Sequence, residues 1–454
     1  MVVDNSNNKS INEIEDNFLK LLDSSSYIDP NLYTKYNIKR GLRNSNGTGV
    51  LVGITGIANV VGYEVKDDKK VPIDGRLLYR GIPLTDLVDG FQKDDRFGFE
   101  ETAFLLLLGK LPSEAALSEF YRVMEYNREF PKFFNEDNIL KFPSNNMMNM
   151  LQRLVLTLYT YDKTADDTSL LNTFRQSLSL ISKVPVMMVY SYQAKRHYYD
   201  NKSLILHRPL SNASIAENIL HMLRPDCKFT KEEARLLDLC MVVHAEHGGG
   251  NNSAFATHVV SSTGTDTYSA ISTAIGSLKG PKHGGANIMV RSMINNIIES
   301  CNWQNYDELS SYLDDILDKK VFNKKGLIYG MGHAVYTKSD PRAVLLKKKA
   351  KELAAAKGYT EKFELLENIE KLTVLKFKER KGKDFEICAN VDLYAGLVYE
   401  MLGIPPELYT PIFTVARMAG WCAHRLEQTR DEKIMRPGYI SIASENNYTS
   451  ITER

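Results

Sequence analysis

Five of the nine histidines in this 454-residue chain lie between His244 and His333, set among glycines. Imidazole can donate, accept or carry a proton near neutral pH, so such a stretch points to acid–base chemistry or to metal ligation. His244-Ala-Glu-His247 runs directly into Gly248-Gly249-Gly250-Asn251-Asn252. Residues three apart share a face of a helix, and closely spaced histidines can hold zinc. The zincin pattern H-E-x-x-H is nevertheless absent, and a pair of helix-end histidines is the plainer alternative. His283 stands in Gly280-Pro-Lys-His-Gly-Gly-Ala-Asn287, a tight turn before a helix predicted over 286–298, whose N-terminus would offer amide donors to an anion. His333 ends Gly326-Leu-Ile-Tyr-Gly-Met-Gly-His, which has neither the Walker lysine nor the dinucleotide-fold spacing and could be a flexible connector. Asp340-Pro-Arg342 follows. Asn390-Val-Asp392 opens a further helix, where an aspartate is commonly an N-cap. Arg417 and Arg436-Pro437 complete the set, although isolated arginines are usually surface residues.

The elements that must position these residues read as helices. Ser10 and Glu13 have capping-box spacing ahead of Ile14, Phe18, Leu21 and Leu22 on one face. Apolar spacing is helical from Phe99 to Tyr161, with breaks near Pro112 and Pro131, and from Leu170 to Ala194, with an interruption at Pro185. Ile215–Leu223 stops before Pro225, and Thr230 with Glu233 forms a capping box for the next helix. Leu309–Leu317, Pro341–Ala355 and Val391–Leu402 scan as helices too. Strand character is confined to Val50–Thr55 and Val60–Val65, which predict a short N-terminal hairpin after the Gly/Asn-rich residues 41–49. The fold class is therefore mainly α. The basic clusters Lys347–Lys351 and Lys376–Lys383 are either solvated faces or a phosphate-binding patch.

Composition narrows the function. The length allows at least two domains and needs no disulfide or metal to build a core. Lys plus Arg number 57 and Asp plus Glu 56, so no overall field draws nucleic acid or anionic membrane, and any anion must be held by a few placed cations. Five cysteines without a C-x-x-C pair suit reduced thiols and a cytoplasmic location. Apolar runs such as Ala103–Leu108 are too short to span a bilayer. Met1–Glu15 has neither an apolar signal core nor a transit peptide's character. No repeat or low-complexity tract is present.

Taken together, H-A-E-H-G-G-G-N, G-P-K-H-G-G-A-N, G-M-G-H-A-V-Y with D-P-R, and N-V-D occur in an order that resembles the citrate synthase family. The likeness runs from Gly41-Leu42-Arg43 and Leu78-Tyr79-Arg80-Gly81 to Arg436-Pro437. It implies a nearly all-α fold with a large domain over 1–284 and 404–454, a small one over 285–403, and a cleft between them. It implies homodimers with shared sites, or a dimer-based hexamer. The implied reaction, a step of the tricarboxylic acid cycle, condenses acetyl-CoA with oxaloacetate and hydrolyses citryl-CoA, without metal or other cofactor. By the same resemblance Asp392 is the base, His283 the donor to the enolate oxygen, and His333 the donor to the ketone. His247, His333, Arg342 and Arg417 bind oxaloacetate, with Arg436 supplied by a neighbouring subunit, whereas His244 has the weaker claim. Gly326, Leu327, Ile328, Tyr329, Gly330, Gly332 and Asn390 match the coenzyme A site, and Arg43 and Lys383 are phosphate candidates. The N-terminal leader and the Lys-rich stretch between Arg342 and Asn390 depart from the family's short forms. Three other readings stand beside this one: 2-methylcitrate synthase using propionyl-CoA, a catalytically silent scaffold or regulator, and a metal-dependent hydrolase.

Overall fold

The computed structural model describes residues 11–67, 69–431 and 433–453. In chain order they form α1 (Ile11–Ser26), α2 (Asn31–Lys35), β1 (Ala58–Lys66), β2 (Lys69–Tyr79), β3 (Ile82–Pro83), α3 (Leu84–Lys93), α4 (Phe99–Leu108), α5 (Glu114–Tyr126), α6 (Met147–Leu158), α7 (Leu170–Asp200) and α8 (Ile215–Leu223). Then come α9 (Lys231–His244), α10 (Asn252–Ser261), α11 (Thr267–Lys279), α12 (Ala286–Ser300), α13 (Tyr306–Leu317), α14 (Pro341–Lys357), α15 (Thr360–Lys381), α16 (Val391–Met401) and α17 (Tyr409–Gln428). The sheet is small and N-terminal, in the order β1-β2-β3, with Leu78 opposite Pro83 and Tyr79 opposite Ile82.

Two compact units emerge. The first comprises the described residues up to Val52 together with Val65–Lys70. Within it α1 carries Phe18, Leu21 and Leu22 exposed on one face, while Ser10 and the Ile14 side chain lie outside the described residues. The second comprises Gly53–Glu64 and the chain from Val71 onward. Its hub is α17, which packs on α4, α7, α9, α10 and α11 and is buried along nearly its whole length, as expected of a helix with neighbours on every side. Helix α16 packs on α12, α14 and α15, α14 also packs on α15, and α13 joins them through α15. The 285–403 segment lies entirely inside this second unit.

Three expectations are corrected. The hairpin is built from β1 and β2, and Val50–Thr55 is not a strand. Lys69, Lys70, Asp74 and Arg76 hide β2 from a hydrophobic scan, because only Leu77 and Tyr79 at its end are buried. Pro185 does not interrupt its helix, since α7 runs 31 residues through it. Its flanks, from Leu180 to Val189, are buried, and this packing offsets the lost backbone hydrogen bond. His244 and His247 do not share a helix face, because α9 ends at His244.

The Thr230–Glu233 capping box is present, and Ser214–Glu217 forms a second one at the start of α8. The two basic clusters are partly paired with neighbouring acids. Lys347 pairs with Glu370 at 2.8 Å, Lys376 with Asp314 at 2.5 Å, and Arg380 with Asp314 and Asp318 at 2.8 Å each. No described helix is long and apolar enough to cross a membrane.

Candidate active site

The ends of several helices of the second unit converge. His247 follows α9, His283 sits in the turn before α12, and His333 lies in the loop before α14. Arg342 and Asp392 occupy the first turns of α14 and α16, and Arg417 projects from the middle of α17. The His247 and His333 rings meet edge to face with centroids 5.0 Å apart, and Tyr336 stacks on His333 at 4.8 Å. Arg342, Arg417 and His283 all act electrostatically on His247. Arg342 acts on Asp392 in the same way. The structure thus brings His247, His283, His333, Arg342, Arg417 and Asp392 into one cluster.

Each side chain is held by local chemistry. Asn390, not Asp392, caps α16, its Oδ1 accepting from the Asp392 amide at 3.0 Å. The Asp392 carboxyl is therefore not occupied with its own helix end. Burial pushes it up to about 6, with Arg342 pulling it down and Asp340 pushing it further up. Asp340 caps α14 and also takes Arg342 in a fork, Nε at 3.0 Å and Nη2 at 2.7 Å. Burial opposes the Arg342 charge, but this carboxylate more than offsets it and holds the guanidinium above its usual range. Arg417 is only 1% exposed. Its Nε donates to the His244 carbonyl at 2.7 Å, and its plane lies over Phe413 at 4.9 Å. Burial lowers it to about 10, against the opposing pull of Glu246, so it remains a cation at neutral pH.

The histidines are tuned differently from one another. On His333 the amides of Val335 and Tyr336 donate to Nδ1 at 3.0 and 3.1 Å. Nδ1 must therefore present a lone pair, and the ring proton sits on Nε2. His283 Nε2 lies 3.0 Å from Ser253 Oγ, and Trp421 Nε1 donates to the same oxygen at 3.0 Å. The Ser253 proton has two acceptors, His283 Nε2 and Asn251 Oδ1, each at 3.0 Å. Given to His283, it leaves the ring proton on Nδ1. Burial and then the Arg417 charge push His283 down to about 4. Burial, followed by Arg342, pushes His244 and His247 well below the usual histidine range. These three rings are therefore neutral hydrogen-bonding groups at pH 7. The His244 ring packs at a tilt against Phe413, with centroids 4.4 Å apart.

The glycine-rich loop is tied to the same place. Gly332 donates to the Cys388 carbonyl at 2.8 Å, and Asn390 donates through its amide to Gly330 at 2.9 Å and through Nδ2 to Gly332 at 2.9 Å. Gly330 has a φ of +83°, and a Cβ there would lie 2.9 Å from that of Leu393. Only glycine lets this loop lie against the first turn of α16. The remaining candidates are placed elsewhere. Lys383 is exposed beyond α15, and Arg436 is exposed in the extended segment after α17. Arg43 belongs to the first unit, where its Nη1 donates to Gly47 O at 3.4 Å.

Sequence reasoning assigned no role to Ser253, Trp421, Asp340, Gly420 or the buried set Glu246, His258 and His424, although Asp340 and Glu246 stand in the marked motifs. Ser253 directly follows the first histidine motif, and Gly420-Trp421 follows Arg417 by one helical turn, so proximity to marked residues was the available signal. Among the described residues, His258, His424 and Glu427 form the one group with metal-ligand chemistry. The facing nitrogens of His258 and His424 already share a hydrogen bond of 2.9 Å. They do not present two lone pairs to an ion.

Fold and site define a mainly helical protein that gathers imidazoles, two buried guanidinium groups and a carboxyl of raised pKa at converging helix ends. The family model "Citrate synthase, C-terminal domain" matches residues 46–438. Citrate synthase of a Synechocystis species is 34% identical over 408 residues, covering 88% of this chain and 93% of its own. Among solved structures, citrate synthase from Pyrobaculum aerophilum superposes with a TM-score of 0.73 at 28% identity, covering 92% and 95% of the two chains. The ternary complex of carboxymethyl coenzyme A and oxaloacetate with the Thermoplasma acidophilum citrate synthase gives a TM-score of 0.73 at 25% identity, covering 92% and 99% of the two chains. The chain belongs to the citrate synthase family and has that family's two-domain, mainly helical fold with a small N-terminal sheet.

Proposed function

We propose that this protein condenses acetyl-CoA with oxaloacetate and hydrolyses the resulting citryl-CoA to citrate and CoA. The observation that carries the reading is the placement of a lifted carboxyl, Asp392, among neutral imidazoles and two buried arginines. Removing a proton from the thioester methyl group needs a base held close and partly desolvated. Asp392, raised to about 6, is mostly ionised at neutral pH yet a stronger base than an exposed aspartate. With the Ser253 proton given to His283 Nε2, the His283 Nδ1–H donates to the forming enolate oxygen. His333 Nε2–H polarises the oxaloacetate ketone and receives the developing alkoxide charge.

Arg342 and Arg417 clamp the two carboxylates, a task suited to forked guanidinium groups. His247 Nε2 is buried without a partner among the described residues and serves as a further ligand contact. The Gly326–Gly332 loop and Asn390 receive coenzyme A. The 285–403 segment is the small domain, and its closure excludes water during condensation. Two chains share each site, with Arg436 delivered by the neighbour. In support, Arg436 lies on an extended segment whose Ile434, Tyr439, Ile440 and Ile442 are all exposed.

The test is CoA-thiol release by purified protein, with acetyl-CoA and propionyl-CoA side by side, each with and without oxaloacetate. Release from acetyl-CoA only when oxaloacetate is present is expected, unchanged by a chelator. Release without oxaloacetate marks a thioesterase, a higher kcat/KM for propionyl-CoA marks a 2-methylcitrate synthase, and none at all marks a scaffold. The motifs do not report this choice of acyl group, because one methylene is worth only about 1–3 kcal/mol of selectivity.

A further inference from the structure

We propose that His424 is a positioning residue for the oxaloacetate half of the site, acting through Glu246 to hold the turn from His244 to His247 against α17. The inference rests on the reading above of that half as the oxaloacetate site. Both side chains are 0% exposed. Arg417, Gly420 and His424 follow one another at spacings of three and four, so they line one face of α17. The turn after α9 is seated on that face at three points. Arg417 donates to the His244 carbonyl at 2.7 Å. At Gly420 a Cβ would lie 2.1 Å from Glu246 Oε2 and 2.5 Å from the Ala245 carbonyl, so only the bare backbone admits the turn. His424 Nε2 lies 2.9 Å from Glu246 Oε1. From the other side, the Tyr79 hydroxyl lies within hydrogen-bond reach of the Val242 carbonyl at 3.0 Å and the Glu246 carbonyl at 3.1 Å.

Counting protons shows why a histidine stands here. His258 Nδ1 donates to Gln428 Oε1 at 2.7 Å, which leaves a lone pair on its Nε2. That lone pair faces His424 Nδ1 at 2.9 Å, so Nδ1 must carry a proton. Nε2 carries one as well, because its partner is a carboxylate. His424 is thus an imidazolium. It faces Glu246 from the α9 turn, His258 from α10, and Glu427 on its own helix with Oε2 3.8 Å away. Arg80 and Arg417 are the other charges acting on Glu246, and Arg80 also faces Glu427. Burial disfavours the imidazolium, but Glu246 outweighs it and raises His424 to about 9. The chain Gln428–His258–His424–Glu246 therefore connects α10, whose Ser253 meets His283, to the turn bearing His247. Breaking a buried pair by removing one partner leaves the other charge uncompensated, so Glu246 and the turn would move.

The test compares parent, His424→Ala, His424→Gln and Glu246→Gln, measuring oxaloacetate affinity by calorimetry and the Michaelis constants for both substrates. His424→Ala should weaken oxaloacetate binding at least tenfold and raise its KM in parallel, with the KM for acetyl-CoA within twofold. His424→Gln, which keeps a donor near the Nε2 position but not the charge, should recover only part of the affinity, falling between His424→Ala and the parent. Affinity of His424→Ala within twofold of the parent, or an equal change in both Michaelis constants, overturns the proposal. If His424→Ala does not fold, Glu246→Gln decides, since it keeps an acceptor but removes the charge. A loss of threefold or more is then expected, and unchanged affinity overturns the proposal. Nitrogen NMR of the histidine rings at pH 7.5 should show one imidazolium that disappears in His424→Gln, and its absence from the parent contradicts the charged assignment. A parent that binds no oxaloacetate overturns the functional reading itself, whereas a parent that binds it and a His424→Ala variant that binds equally well overturn only the positioning role.

Discussion

Asp392 combines two properties that oppose each other. Its carboxyl sits at the second position of a helix already capped by Asn390, in surroundings that favour the protonated form and lift it to about 6. Folded protein therefore binds this proton more tightly than the unfolded chain does, and ionisation between about pH 4 and 6 erodes stability. The same ionisation creates the base. Activity should fall on the acid side with a midpoint near 6, about tenfold per pH unit below it. Asp392→Asn should bind oxaloacetate normally but lose methyl-proton exchange with acetyl-CoA by at least 10³-fold. It should also be more stable than the parent at pH 7.5 by about 1–3 kcal/mol in denaturant unfolding. Proton exchange within a few-fold of the parent would remove Asp392 from the chemistry. This residue was legible in the sequence through its motif, but its freedom from capping duty was not, because either Asn390 or Asp392 has the chemistry of an N-cap.

At the scale of the element, α17 carries more of the site than its one conspicuous arginine suggested. Its Arg417, Gly420 and His424 hold the turn from His244 to Glu246, and its Trp421 meets Ser253. Gly420→Ala tests how tightly the turn is seated. The added methyl meets Glu246 Oε2 at 2.1 Å and the Ala245 carbonyl at 2.5 Å, so backbone must move. Overpacking of this kind costs about 1–3 kcal/mol. The expected outcome is that loss of unfolding free energy, together with a rise in KM for oxaloacetate of at least fivefold. A variant with parental stability and KM would show that the turn yields freely. Helix periodicity located most of the helices, because apolar spacing is a local signal. It missed β2, whose side chains are mostly not buried, and it placed an interruption in α7 at Pro185, where burial outweighs the local penalty.

At the scale of the whole molecule, the described cluster supplies two arginines for a dicarboxylate, and the third sequence candidate stands apart. Arg436 is exposed. The preceding Met435 amide donates to Ser262 Oγ at 3.0 Å, which anchors the start of the extended segment. If that segment reaches a second copy, Arg436→Ala and Asp392→Asn inactivate through different chains. Mixing the two inactive proteins under subunit exchange should return about a quarter of parental activity, since half the dimers are mixed and each holds one intact site. No recovery, with exchange demonstrated by mass labelling, would mean that Arg436 serves its own chain.

The residue types and their order along the chain were enough to read a mainly helical fold and to mark the histidines, arginines and aspartate of the cluster. Short motifs such as G-P-K-H-G-G and D-P-R carry their own turns and caps, so local chemistry reveals them. Which of these residues meet, and in what state, depended on contacts far apart in sequence. Ser253 reaches His283 across 30 residues, and His424 reaches Glu246 across 178. A proton's location on an imidazole, or the pKa of a buried carboxyl, is a property of such neighbours and of the water they exclude, and neither is written in the residue itself.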